Sequence, residues 1–188
     1  MNYVRGFAPW LCYAALSPLD WRLGMCAAAL VAVLSLVARL RAGGVDLLGA
    51  ATCAFFVAMA AISLAAPDSG LNTWTCSLAN AVLAVTALAS LVVRRPFTLS
   101  IARSQVPQEF WNAPRFIRVN MVLTGAWTTA FAAAAAACAL VVRYDHAAAL
   151  PLITVQVLAF VIPFAFSGWY ASRAQAKAAA AAAEHTTA

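Results

Sequence analysis

The acidic side chains, which are the natural candidates for acid–base or ion chemistry, all fall outside the apolar runs of this chain. A carboxylate inside a membrane span usually marks an ion or proton pathway. None is expected here, which argues against a proton-coupled pump or antiporter. The sequence also has no H-E-x-x-H and no paired aspartates, which argues against an intramembrane protease. The six acidic residues, placed in predicted loops or in the C-terminal tail, are Asp20, Asp46, Asp68, Glu109, Asp145 and Glu184.

The histidines and cysteines of the sequence give little support for metal binding or for thiol chemistry. His146 and His185 lie in a loop and in the tail, without metal-ligand spacing. The cysteines are odd in number, form no C-x-x-C pair and all fall in apolar runs, where free Cys packs as a small hydrophobe. We therefore predict apolar fillers and no disulfide or metal framework, no cofactor, and a protein that is not an enzyme. The five cysteines are Cys12, Cys26, Cys53, Cys76 and Cys138.

Two amides, Asn80 and Gln156, are the notable polar side chains inside the apolar runs. A buried amide needs a hydrogen-bond partner, and in a membrane that partner is usually on another helix. We predict that each amide bonds across to a neighbouring helix. The functional alternative is that both line a pore or contact a solute.

The composition predicts a membrane environment and an all-α fold. Of the 188 residues, 65% are hydrophobic and only 10% are charged, far outside the range of soluble domains. We predict a polytopic helical membrane protein with five full spans and one short N-terminal hydrophobic segment at 3–16, too short to cross a bilayer comfortably. Residues 1–173 form one transmembrane domain, and 174–188 form a low-complexity, Ala-rich tail. The predicted spans are 21–40, 45–66, 74–93, 119–142 and 150–170.

The distribution of Lys and Arg predicts the orientation. If the polar stretch 94–118 is cytoplasmic, that face collects ten of the twelve Lys and Arg residues, and the other face keeps only Arg22 and Arg143. The positive-inside rule then places both termini in the cytoplasm. The net charge of +6 suits anionic lipid headgroups at that face. We expect no nucleic acid partner, because no soluble basic platform is present.

The stretch 94–118 is the one long polar segment. It carries five Arg and one Glu, a net charge of +4. Pro96 fits the first turn of a short helix, Pro107 opens a second turn and Pro114 closes it. We predict an amphipathic cytoplasmic loop whose apolar side chains dip into lipid while its arginines meet phosphates; the alternative is docking of a partner protein. The residues assigned to this surface are Arg94, Arg95, Phe97, Ile101, Arg103, Phe110, Trp111, Arg115 and Arg118.

Small residues recur every fourth position on two predicted spans, which favours close approach of helices. The alternatives are packing inside the chain and contact with a second copy in a homo-oligomer. The two stripes are Gly125, Thr129, Ala133 and Ala137, and Ala50, Ala54 and Ala58.

Four tryptophans are placed near the ends of predicted spans. Indole rings favour the headgroup region of a bilayer. We therefore predict interface anchors at Trp21, Trp74, Trp127 and Trp169.

The order of several short motifs resembles a known family. The chain begins with Phe7-Ala8-Pro9, enters a long span at Asp20-Trp21, and has Asp68 shortly before Trp74; Arg94-Arg95-Pro96, Pro107-x-x-x-Trp111 and Asn120 follow in that order. In this layout the chain resembles the bacterial intracellular septation protein A family of small inner-membrane proteins. The resemblance implies a bacterial cytoplasmic (inner) membrane location and a role in envelope synthesis and septum formation. It implies contacts with division and elongation proteins, and it provides no active site.

These features together predict a non-catalytic integral inner-membrane protein that serves as a cell-envelope or septation-associated scaffold. The runner-up is a small channel or transporter for a neutral or hydrophobic solute, using Asn80 and Gln156. A membrane-embedded enzyme acting on lipid comes third, because the sequence shows no nucleophile–base or metal set.

Overall fold

A computed structural model describes residues 2–42, 44, 47–103, 106–144 and 149–186, with side chains from residue 8 to residue 176 of those ranges. Asp46, Asp145 and His146 lie outside the described residues, as do the side chains of Glu184 and His185. The described chain is helical throughout, without strands. Its elements are α1 (Asn2–Leu16), α2 (Trp21–Arg41), α3 (Leu47–Ala65), α4 (Leu71–Val92), α5 (Phe97–Arg103), a 3₁₀ turn (Gln108–Phe110), α6 (Pro114–Tyr144) and α7 (Ala149–Thr186).

Five of these helices, α2, α3, α4, α6 and α7, are long and apolar enough to cross a membrane. The prediction of an all-α, multi-pass membrane protein with five spans and a short N-terminal segment is confirmed. Two boundaries differ most from the prediction. The sixth helix begins at Pro114, because proline suits the first turn of a helix, so Arg115 and Arg118 belong to α6. The last helix continues through the Ala-rich tail to Thr186, since Ala has the highest helix propensity.

The helix ends show why the chain turns where it does. Asp20 caps α2, its Oδ1 accepting a hydrogen bond of 2.9 Å from the backbone N–H of Leu23. At the C-terminal end of α4, Arg94 adopts a left-handed backbone conformation, with φ 56°. There the N–H of Arg95 donates to Ser90 O and that of Arg94 to Leu91 O, each at 2.9 Å. This is a Schellman motif, which usually has glycine at the position of Arg94.

The bundle buries two apolar clusters. The first joins α1, α2 and α3, where Phe56 and Met25 are fully buried and the ring centroids of Trp10 and Phe56 are 4.7 Å apart. The second lies between α4, α5 and α6 and is built from Leu83, Ala84, Ala87, Phe97, Trp127 and Phe131. We call the end of the bundle that carries residues 94–118 the basic end, and the opposite end the far end.

The small-residue stripes face outward. Thr129 and Ala133 on α6 and Ala54 on α3 are exposed, and a methyl group added at Gly125 would meet no atom within 4 Å. The buried face of α6 instead carries larger side chains, Trp127 and Phe131 among them. Packing of the stripes inside the chain is therefore a wrong prediction. Other small residues, such as Ala87 on α4 and Ala134 on α6, are buried instead, and these two helices approach closely, with Cα atoms 6.0 Å apart at Cys76 and Cys138. The rings of Trp127, Phe131 and Phe160 pack between α6 and α7.

Trp127 is also placed differently from the prediction. It lies in the interior of α6, is only 9% exposed, and donates from Nε1 to Ser167 Oγ on α7 at 3.2 Å. It is a core residue and not an interface anchor. Trp74 and Trp169 are 39% and 52% exposed, as an anchor at a span end requires.

Two cysteines are paired. Cys76 on α4 and Cys138 on α6 are joined as a disulfide, with Cα atoms 6.0 Å apart. The prediction that all five cysteines are unpaired fillers is wrong for this pair, which is 62 residues apart in sequence. Cys12, Cys26 and Cys53 are free.

Candidate interaction surface

The short helix α5 is attached to the end of α4 through a serine. Ser90 Oγ donates to Ala87 O at 2.7 Å and accepts from the backbone N–H of Phe97 at 3.2 Å. The second bond satisfies one of the N–H groups that a helix start leaves unpaired. Because Ser90 is buried, this contact fixes the direction in which α5 leaves α4.

The other side of α5 is attached to α6 through buried hydroxyls. Thr98 Oγ1 donates to Asn120 O at 3.0 Å and lies 2.9 Å from Thr124 Oγ1. Asn120 is held in turn, because its Nδ2 donates to Phe116 O at 2.9 Å. All three hydrogen-bonded residues of this cluster, on α5 and α6, are at most 8% exposed. A buried hydroxyl that lost these partners would be costly, so α5 is held in one position.

The apolar face of α5 packs on protein. Phe97 is 7% exposed and belongs to the cluster with Leu83 and Phe131, against which Ile101 also packs. The prediction that Phe97 dips into lipid is therefore wrong, whereas Ile101 is only partly buried. Phe110, by contrast, is 51% exposed.

Arg103 and Trp111 form a cation–π pair at the basic end. The guanidinium carbon of Arg103 lies 5.2 Å from the centroid of the Trp111 ring, within the range of a favourable contact. Trp111 is fixed further by its Nε1, which donates to Val106 O at 3.0 Å. The Nε of Arg103 is buried and has no hydrogen-bond partner within the described part of the chain.

The remaining arginines assigned to the surface are exposed at the same end. Arg94 and Arg95 follow α4, and Arg115 and Arg118 lie in the first turns of α6. Arg115 also ties α6 to α7, because its Nη2 donates to Ala174 O at 2.8 Å. The basic end thus combines exposed positive charge with the exposed ring of Phe110 on a backbone held by buried hydrogen bonds.

The two intramembrane amides bond to each other. Asn80 Nδ2 on α4 donates to Gln156 Oε1 on α7 at 2.8 Å and to Cys76 O at 2.9 Å. The predicted interhelical bond is present. Asn80 has no exposed surface, and its Oδ1 has no partner among the described atoms. Asn80 therefore lies inside the packed bundle, and the half-buried Gln156 lies beside it.

A shallow cavity lies elsewhere, between α1, α2 and α3. Its lining includes Pro9, Leu36, Arg39 and Thr52, so it does not include either amide. Within the described ranges, no three His, Cys, Asp or Glu side chains come close enough together to hold a metal ion.

Sequence reasoning missed the features that position the surface. The hydroxyls of Ser90, Thr98 and Thr124 were not predicted to hold α5. The polar residues on either side of Arg94-Arg95-Pro96, Ser90 and Thr98, could have indicated this contact. The Cys76–Cys138 pair was missed because only the pairing of α4 with α6 brings the two residues together.

Comparison of the chain with models of protein families, with curated proteins and with solved structures finds no match. The likeness to the septation protein A family therefore rests on the motifs described above.

Proposed function

We propose that this protein is a non-catalytic scaffold of the bacterial cell envelope, whose basic end is the surface that contacts its partners. The observation that carries the proposal is the fixed position of α5. Buried hydroxyl bonds and Phe97 hold this short helix on the bundle, while Phe110 and the neighbouring arginines stay exposed. A rigid surface binds with a smaller loss of conformational entropy than a flexible loop does.

The composition of this surface suits a protein partner. Arginine and aromatic side chains are enriched at protein–protein interfaces and often provide the largest share of binding energy. Trp111 is held in place by Arg103, and Phe110 lies beside it in the chain. The motif resemblance suggests proteins of cell division and envelope synthesis as the partners.

The membrane contributes to the same surface. The positive-inside rule supports a cytoplasmic position for the basic end, with both termini on that side and the chain in the bacterial inner membrane. Exposed arginines there, such as Arg94 and Arg118, would meet anionic headgroups. Lipid contact orients the surface, and the aromatic residues provide the specific partner contact.

The alternative of a channel or transporter has weaker support. A solute path past Asn80 and Gln156 requires polar groups that face water. Asn80 has no exposed surface and is hydrogen-bonded to Gln156. The amide pair is therefore better explained as a contact that holds α7 on α4.

The test is a growth and division assay in which variants replace the chromosomal copy. Phe110→Ala and Trp111→Ala should each impair function, with partner affinity reduced about five- to thirty-fold, as expected for the loss of about 1–2 kcal/mol at a central contact. Phe164→Ala is the matched control, because this ring is 70% exposed on α7, away from the basic end. Normal growth and division of both test variants, at unchanged membrane levels, would refute the proposal.

A further inference from the structure

The disulfide between Cys76 and Cys138 lies inside the membrane-spanning part of the bundle. Cys76 is five residues from the start of α4 and Cys138 is six residues from the end of α6. At 1.5 Å per residue these positions are about 8 Å and about 9 Å below the far end. Cys138 has no exposed surface, and Cys76 is half-buried. The two sulfurs therefore meet in an apolar layer and not at a water-exposed loop.

Gln156 lies where it could accept a hydrogen bond from Cys76 in the reduced form. Cys76 Sγ lies 3.5 Å from Gln156 Oε1, a distance at which a thiol S–H donates a weak hydrogen bond. A disulfide sulfur carries no hydrogen, so this bond exists only when Cys76 is a thiol. Gln156 Oε1 also accepts from Asn80 Nδ2 and so keeps a partner in both states. Gln156 Oε1 therefore offers a hydrogen-bond acceptor to the Cys76 thiol and stays bonded to Asn80 when the disulfide forms.

We propose that Cys76 and Cys138 are a redox site, inserted as two thiols and oxidised inside the bilayer by a lipid-soluble quinone after α4 and α6 have packed. The two S–H bonds break and one S–S bond forms. The thiols release two electrons and two protons, and the quinone accepts all of them to become a hydroquinone. No other oxidant is needed. The inference is independent of the scaffold role, since it rests on residues at the end opposite to the interaction surface.

The choice of a quinone follows from access. A charged, water-soluble oxidant would have to leave water and enter the apolar layer to reach either sulfur. It would also need an in-line approach to sulfur, and Cys138 is fully buried. A quinone dissolves in the lipid that surrounds α4 and α7 and can approach the half-buried Cys76 from there.

The consequence is a covalent link between the two helices that hold α5. Ser90 on α4 and Thr124 on α6 anchor α5 at the basic end, and the disulfide joins the same two helices near the far end. Oxidation would therefore lock the pair of helices on which the interaction surface is built.

The experiment uses the full chain with Cys12, Cys26 and Cys53 changed to Ala. It is reduced and reconstituted in phosphatidylethanolamine–phosphatidylglycerol vesicles, then exposed to decylubiquinone or to oxidised glutathione. Free thiols are counted by maleimide–polyethylene glycol labelling in SDS. We expect decylubiquinone to remove both labels with one equivalent of quinone reduced, and glutathione to react at least about ten-fold more slowly. Cys138→Ser in the same background should retain its single label with either oxidant.

Two results of this experiment would overturn the proposal. Retention of both labels after decylubiquinone treatment would show that the pair is not a quinone-reactive site, and equal rates with glutathione would show that the bilayer does not select the oxidant. The unaltered five-cysteine chain, isolated from cells with thiols blocked, provides a second readout. Mass spectrometry of its non-reduced peptides should find Cys76 linked to Cys138, and finding both alkylated would equally overturn the proposal.

Discussion

Replacing Phe97 with Ala is the sharpest test of how α5 is held. The ring is 7% exposed and packs with Leu83, Trp127 and Phe131. A Phe→Ala change in a water-soluble core costs about 3–5 kcal/mol. Here the undocked ring would enter lipid, which is as apolar as the protein, so most of the transfer term cancels. The cavity term remains: about 100 Å³ at about 24 cal/mol per Å³ gives about 2 kcal/mol.

This value corresponds to about a thirty-fold rise in the undocked fraction of α5. Hydrogen exchange in lipid nanodiscs, followed on peptides that cover 97–103, measures that fraction directly. Phe97→Ala should accelerate exchange there by about this factor while the spans stay protected. Phe110→Ala is the matched control, because it removes the same kind of side chain from a position that is 51% exposed. This variant should leave exchange at 97–103 unchanged. Unchanged exchange in the Phe97 variant would refute the packed position of α5.

Three further experiments probe other contacts by thermal unfolding of variants in detergent. A double-mutant cycle of Asn80→Leu and Gln156→Leu should give a coupling energy of about 0.6–1.7 kcal/mol. No coupling would contradict the 2.8 Å hydrogen bond between the two side chains. Gly24→Ala should lower stability, because the added Cβ would meet the backbone of the α1–α2 turn at 2.9 Å. Gly125→Ala is the control and should be neutral, because its Cβ would enter open space. Equal effects of the two variants would contradict this packing. Arg94→Gly should raise stability by about 1 kcal/mol by relieving the left-handed φ of 56°, and a fall would refute the strain.

Hydropathy predicted the number of spans because length and apolar composition are set by the bilayer itself. Asn80 and Gln156 were also predicted correctly to bond across helices, since a buried amide in lipid needs a partner. Both inferences depend on the environment and not on which helices are neighbours. That is why a single sequence sufficed for them.

The errors share one physical cause. In a membrane protein, lipid and protein interior are equally apolar, so the sequence pattern does not distinguish the two faces of a span. The stripe around Gly125 was expected to pack and is exposed, while Phe97 was expected in lipid and is buried. The pairing of Cys76 with Cys138 needs the same missing knowledge, namely which face of α4 meets α6.

The most direct test of the scaffold account is photo-crosslinking in living cells from the basic end. A photoreactive amino acid at Phe110 should capture specific proteins of the division or envelope-synthesis machinery, identified by mass spectrometry. The same probe at Phe164, an exposed ring on α7, should not capture them. Capture of lipid alone, or of the same proteins from both positions, would contradict the claim that the basic end is the working surface.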